Sequence, residues 1–121
     1  MNTGKKVSGG KYIAHRKKRL YERSGQERKV KFGEEKRKSK KTKGGKIKIS
    51  HLKAKYVNVH LHENNGTKKV EIKNVLETPS NRFLARQNIL TKGTIVETSH
   101  GKAQITNRPT QEGVVNGVLV K

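Results

Sequence analysis

The sequence lacks several residue types, and each absence excludes a class of protein. Cysteine, tryptophan and aspartate are absent from the 121 residues, so neither a disulfide scaffold nor a thiolate zinc site can form. Hydrophobic residues make up only 29% of the chain, and no run approaches the roughly 18 apolar residues that a membrane-spanning helix needs. Residues 1–11 are polar and rich in glycine, unlike a secretory signal. We therefore expect a cytoplasmic protein without a membrane partner.

Positive charge is the property that the chain has in excess. It carries 30 Lys and Arg residues against nine Glu, a formal net charge of +21. Small soluble domains usually carry a net charge of about 2–8, so a merely solubilised surface is a poor explanation. A polyanion would relieve the self-repulsion, and binding would release its condensed counterions. The composition thus indicates a nucleic-acid partner.

Charge and apolar residues are distributed in opposite ways along the chain. Residues 1–50 contain 19 basic and four acidic residues, whereas residues 51–121 contain 11 and five. The first half has few apolar residues, which favours a basic arm over residues 1–45 that becomes ordered on RNA. We expect this arm to be largely extended, with a possible short helix from Tyr12 to Arg23. A flexible tail or localisation signal is the alternative.

The second half, residues 46–121, predicts an all-β domain. Apolar residues alternate with polar ones around Val57, Ile72 and Ile105, which is typical of half-buried strands. Turns are expected at Asn64-Asn65-Gly66 and at Ser99-His100-Gly101. Many short strands joined by tight turns favour a small C-terminal β-barrel preceded by the arm.

One segment, from Thr78 to Asn88, predicts a short helix instead. Thr78 would cap it, with Pro79 at the first helical position. Arg82 and Arg86 would share an exposed face and could bind phosphate, or could be an ordinary solvated face. Phe83 and Leu84 would pack on the barrel.

The sequence offers no recognisable catalytic arrangement. The glutamates after residue 50 form no paired-acid or metal motif, and a phosphate-binding Gly-Lys-Ser/Thr loop is missing. His60 and His62, with Glu63 beside them, fit a solvent-facing pair better than a zinc site, which would need further ligands. We therefore predict no enzyme activity, cofactor, metal or small-molecule substrate. With two Phe and three Tyr, base stacking cannot dominate, which leaves recognition of a folded RNA backbone.

Motifs along the whole chain resemble a known family. They lie at Ser8–Tyr12, Arg16–Glu22, Thr42–Lys46, Thr78–Arg82 with Asn88–Ile95, and Thr106–Leu119. In this order they resemble the archaeal and eukaryotic small-subunit ribosomal protein family S8e. Eukaryotic members carry a long insertion in the second half, so the chain resembles the short archaeal form. Thr110 stands where glycine is expected and Gly117 where alanine is usual.

The resemblance implies a structural constituent of the small (30S) ribosomal subunit, bound to 16S ribosomal RNA and to neighbouring ribosomal proteins. Two other functions stay open: a general nucleic-acid chaperone or architectural binder, and an RNA-processing enzyme. The arm's candidate RNA-binding residues are Lys5, Lys6, Lys11, Tyr12, His15, Arg16, Lys17, Lys18, Arg19, Arg23, Arg28, Arg37, Lys38, Lys40, Lys41, Lys43 and Lys46. The barrel's candidates are Arg82, Arg86 and Arg108.

Overall fold

Strands are the main secondary structure of the protein; the structure, a computed structural model, describes residues 4–13, 16–61 and 66–120. The strands are β1 (Val30–Phe32), β2 (Lys36–Lys41), β3 (Ile47–Ala54), β4 (Tyr56–Leu61), β5 (Gly66–Glu77), β6 (Ile89–Leu90), β7 (Ile95–Thr98), β8 (Gly101–Ile105) and β9 (Asn116–Leu119). The helices are α1 (Arg82–Arg86) and α2 (Pro109–Glu112). The predicted all-β class is confirmed.

Five strands close into the predicted barrel, in the order β4-β5-β7-β8-β9. Neighbours run antiparallel, except that β4 and β9 pair in parallel and close the ring. The alternating apolar residues point inward: Val57, Val59 and Val96 have no exposed surface. Because closure pairs the outer strands with each other, the five described strands leave no free edge for another chain to join.

A second sheet of four strands has the order β2-β3-β1-β6. β2 pairs antiparallel with β3, whereas β1 pairs in parallel with β3 and antiparallel with β6. Val30 in β1 is fully buried within the same apolar cluster as the barrel residues Val57 and Val96. Residues 30–41 therefore lie in a sheet with strands from the second half of the chain.

The predicted turns and the possible N-terminal helix can be compared with the structure. β7 and β8 are joined through Ser99 and His100, as predicted. β4 and β5 pair as far as Leu61 opposite Gly66, and the expected turn residues Asn64 and Asn65 lie outside the described residues. Of the possible helix from Tyr12 to Arg23, the described residues show a single 3-10 turn over Leu20–Glu22.

The predicted start of the helix at Thr78 is wrong. α1 begins at Arg82, and the side chain of Asn81 caps it by accepting the backbone N–H of Phe83 at 3.0 Å. Thr78 is buried, and its hydroxyl lies 3.4 Å from the hydroxyl of Thr94. The Thr78 side chain is therefore buried next to Thr94 just beyond the end of β5, and the helix starts four residues later.

The last helix, α2, was not predicted. It is a single turn that begins at Pro109. Pro109 occupies its first turn, and Gly113 ends it in the left-handed conformation with φ of 67°. Thr110 is part of this helix. Further on, a Cβ at Gly117 would lie 2.9 Å from the carbonyl oxygen of Gln104, so alanine at that position would require the backbone to shift.

Candidate nucleic-acid interface

The most basic surface is the hairpin of β2, β3 and their connection, residues 36–54, called here the basic hairpin. Every residue of β2 is exposed, and five of its six residues are Lys or Arg. The connection is closed by Thr42, whose N–H and hydroxyl both donate to the carbonyl oxygen of Lys46, at 2.7 and 2.9 Å. Gly44 and Gly45 have φ of 81° and 74°, a conformation that favours glycine. The sequence therefore builds a tight turn that holds β2 in register.

Like charges face each other across the basic hairpin. Lys40 pairs with Lys48, and Lys53 lies between Lys36 on one side and Lys31 on the other. Two like charges directly opposite in a sheet are destabilising by an amount comparable with the roughly 0.2–1 kcal/mol of a favourable pair. An external anion between such lysines would reverse the sign of the interaction. The arrangement is therefore suited to binding closely spaced phosphates.

A groove of about 580 Å³ brings two separate candidates, Arg28 and Arg108, together beside Lys92. Arg28 donates to the hydroxyl of the buried Ser50 at 3.0 Å, and that hydroxyl reaches the carbonyl oxygen of Lys38 at 3.4 Å. This contact ties the chain before β1 to the basic hairpin. The groove could hold an RNA phosphate between cations from both halves of the chain.

Asn107 fixes the loop that carries Arg108. Its side-chain amide donates to the carbonyl oxygen of Val114 at 2.8 Å and to the carboxylate of Glu112 at 3.0 Å. Its side-chain oxygen accepts the backbone N–H of Asn116 at 3.0 Å. Because Asn107 is buried and bonded three times, the position of the Arg108 backbone is well defined.

The other two barrel candidates, Arg82 and Arg86, lie on a different groove, beside Leu76 and Ala85. As predicted, they share an exposed face of α1. The expected packing of Phe83 on the barrel is wrong, because its side chain is 57% exposed. The Arg82 and Arg86 guanidinium groups lie 5.9 and 5.7 Å from the centre of its ring. Ala85, on the other side of α1, packs against the core.

Two arginine candidates are already paired with glutamates. Arg16 donates to both carboxylate oxygens of Glu22, at 2.8 and 2.5 Å, and Arg37 binds Glu35. The Arg16 bond, helped by the backbone N–H of Arg19, lowers the pKa of Glu22. Arg37 likewise lowers the pKa of Glu35. A phosphate would have to displace these carboxylates, so Arg16 and Arg37 are weaker anion sites than the facing lysines of the basic hairpin.

The remaining arm candidates are mostly on the surface. Lys6 closes a small turn by donating its N–H to the carbonyl oxygen of Gly10 at 2.7 Å, and its ammonium lies 5.7 Å from the Tyr12 ring centre. Arg23 donates to the carbonyl oxygen of Lys18 at 3.3 Å. His15 lies outside the described residues. The other exposed candidates are Lys5, Lys11, Lys17, Arg19, Lys38, Lys41, Lys43 and Lys46.

The possible metal ligands do not assemble in the described part of the chain. His62 and Glu63 lie outside it, and within residues 4–13, 16–61 and 66–120 no three His or Glu side chains are grouped to hold a metal ion. In the same residues, no helix has both the length and the apolar character to cross a membrane.

Comparison with known proteins gives the family. A sequence profile described as ribosomal protein S8e matches residues 1–120. The chain belongs to this family. It is 45% identical to small ribosomal subunit protein eS8 of Nanoarchaeum equitans over 95% of this chain and 91% of the relative. It is 46% identical to the protein of the same name from Ignicoccus hospitalis, over 97% and 92%. For the Staphylothermus marinus protein the identity is 43%, over 99% and 94%.

The family resemblance drawn from the sequence motifs is thus confirmed, including the short archaeal form. In this S8e chain the structure also adds residues that the sequence prediction left out. On the second sheet, Lys48 faces the candidate Lys40, and Lys53 lies between Lys36 and Lys31. The Phe83 ring centre lies 5.9 and 5.7 Å from the guanidinium groups of the candidates Arg82 and Arg86. The alternation of Lys46, Ile47, Lys48 and Ile49 next to a basic tract was the available signal. A hairpin there would have placed Lys48 opposite that tract.

Proposed function

We propose that this chain is a structural constituent of the small ribosomal subunit that binds ribosomal RNA mainly through phosphates. The observation that carries the proposal is the basic hairpin, where Lys40 faces Lys48 and Lys36 faces Lys53 beside a closed barrel. Folding such pairs together costs free energy, and a bound anion offsets that cost. The relatives are named small ribosomal subunit proteins, and the polyanion that we propose for this chain is the ribosomal RNA of that subunit.

The two parts of the chain would have different tasks. The domain that contains the barrel, residues 46–121, acts as a rigid anchor, and the arm, residues 1–45, follows folded RNA and neutralises its phosphates. The grooves around Arg108 and around Arg82 and Arg86 add contacts on the barrel side. Neighbouring ribosomal proteins are the remaining partners, and the place of action is the ribosome in the cytoplasm. The role needs no catalysis, cofactor or small-molecule substrate.

Competition binding tests the proposal. The purified full chain is bound to labelled small-subunit ribosomal RNA at moderate salt, and unlabelled competitors are added. We expect the same RNA to displace the label at concentrations well below those needed with unrelated duplex DNA. Equal displacement by the DNA would reject the ribosomal role and favour a general nucleic-acid chaperone or architectural binder.

A pair of charge-matched variants locates the interface in the same assay. Lys36, Lys40 and Lys48 are changed to Gln in one protein, and the exposed barrel residues Lys68, Lys73 and Lys102 in the other. Both variants carry three fewer charges than the parent chain, so non-specific attraction falls equally. The basic-hairpin variant should bind ribosomal RNA more weakly than the barrel variant. Equal weakening would show that net charge alone, rather than this surface, determines binding.

The enzyme alternative has its own test. The full chain is incubated with labelled ribosomal RNA and Mg²⁺ or Zn²⁺, and the RNA is examined for cleavage. Intact RNA is the expected result. Metal-dependent cleavage that persists when His60 and His62 are changed to Ala would assign catalysis to the glutamates and contradict a purely structural role.

A further inference from the structure

Phe83 is an exposed aromatic side chain on a helix that the barrel holds firmly. The Asn81 side chain caps α1 at the backbone N–H of Phe83, and Ala85 packs against the core. At about 100° per residue, Arg82, Phe83 and Arg86 fall within one third of the helix circumference, and Phe83 lies nearly opposite Ala85. The ring is therefore displayed on a fixed support, with two guanidinium groups 5.9 and 5.7 Å from its centre.

We infer that Phe83, with Arg82 and Arg86, forms a binding site for an unpaired RNA nucleotide, whose base stacks on the ring while its phosphates meet the arginines. The inference rests on the proposed function for its partner class. It goes beyond that function in assigning base contact to a protein otherwise expected to read the RNA backbone.

The chemistry of the patch favours a nucleotide over an apolar protein surface. An apolar partner would cover the ring but would also take two guanidinium groups out of water, at a large desolvation cost. A nucleotide has a flat π face for the ring and an anion for each arginine, so it satisfies all three side chains at once. The two cations already near the ring show that this face of α1 tolerates a charged neighbour.

The absence of tryptophan from the chain makes a direct test possible. Phe83→Trp places a single fluorophore on α1, and Val120→Trp places one at another exposed apolar position as the matched control. Each full-length variant is titrated with a short single-stranded RNA and with an abasic oligonucleotide of equal length. We expect the RNA, and not the abasic strand, to quench the indole of Phe83→Trp, while Val120→Trp changes little.

Affinity measurements with small-subunit ribosomal RNA complete the test. Phe83→Tyr should bind as the parent chain does, whereas Phe83→Leu, apolar but not aromatic, should bind about five- to a hundredfold more weakly. Normal ribosomal RNA binding by Phe83→Leu, or equal quenching by the abasic strand, would overturn the inference and leave the proposed function standing. If Phe83→Leu binds ribosomal RNA normally but loses binding to a purified ribosomal protein, the patch is a protein contact, and this result would also overturn the inference.

Discussion

Three threonines form a hydrogen-bonded cluster at one end of the barrel. Thr94 is fully buried, and its hydroxyl accepts the backbone N–H of Thr91 at 3.1 Å. The hydroxyls of Thr91 and Thr78 lie 3.0 and 3.4 Å from it. The sequence predicts Thr78 as a helix cap because its neighbour is Pro79, and nothing local shows that Thr94 lies next to it in space.

Thr94→Val should destabilise the protein by about 1–3 kcal/mol, because a side chain of the same shape leaves the N–H of Thr91 and the hydroxyl of Thr78 without their partner. Urea unfolding followed by circular dichroism measures the change. Thr106→Val is the control, since Thr106 is exposed and its hydroxyl bond is long at 3.4 Å. Equal stability of Thr94→Val and the parent chain would contradict a structural role for the cluster.

Gly113, the residue that ends α2, packs closely against β3. Its φ of 67° is left-handed, and a Cβ there would lie 3.1 Å from the carbonyl oxygen of Ile49. Gly113→Ala should therefore cost about 1–3 kcal/mol of stability. Gly25→Ala should change stability little, because a Cβ at Gly25 meets nothing within 4 Å and its φ is not positive. Thermal unfolding compares the two, and a stable Gly113→Ala would show that the backbone adapts.

Elements whose own residues supply the buried surface were predictable. β4, β5 and β8 carry apolar residues that alternate with polar ones, and β7 and β9 carry short apolar runs; both patterns predict a strand without showing which strand it pairs with. β2 has no apolar residue, so its strand form comes entirely from pairing with β3. β1 and β6 contain three and two residues, too few for a period-two pattern to be visible.

The sequence predicts which basic residues belong to the candidate site, but not how they are arranged on the surface. The sequence identifies Lys40 and Arg28 as exposed positive charges. It cannot show that Lys40 faces Lys48, or that Arg28 shares a groove with Arg108, since both facts depend on which strands pair. Phe83 was expected to pack on the barrel, together with Leu84. The helix starts later than expected and turns Phe83 outward.

Removing a charge from the basic hairpin should stabilise the free protein but weaken its binding to ribosomal RNA. Lys40→Gln or Lys48→Gln relieves a like-charge pair, so the free protein should become more stable by up to about 1 kcal/mol at low salt. The same variants should bind ribosomal RNA more weakly. Lys102→Gln is the contrasting control, because Lys102 faces Glu97 and its removal should slightly lower stability. Destabilisation by Lys40→Gln would argue against the facing arrangement of the lysines.

For the whole molecule, a net charge of +21 makes salt the main control of binding. Removing one lysine that touches a phosphate should reduce the slope of log affinity against log salt by roughly 0.7–0.9. The variant with Lys36, Lys40 and Lys48 changed to Gln should therefore show a slope shallower by roughly 2–3 than the parent chain. Titrations with ribosomal RNA at several salt concentrations measure it, and an unchanged slope would exclude these lysines from binding phosphate.

The structural role of this S8e chain requires that it be incorporated into the small ribosomal subunit. The most direct measurement is sedimentation of a native cell extract on a sucrose gradient, with an antibody to this chain, before and after a moderate-salt wash. We expect the chain to sediment with the small subunit and to stay there through the wash, held by many phosphate contacts and a specific fit. Recovery at the top of the gradient, or spread over all nucleic acid and removed by mild salt, would contradict it.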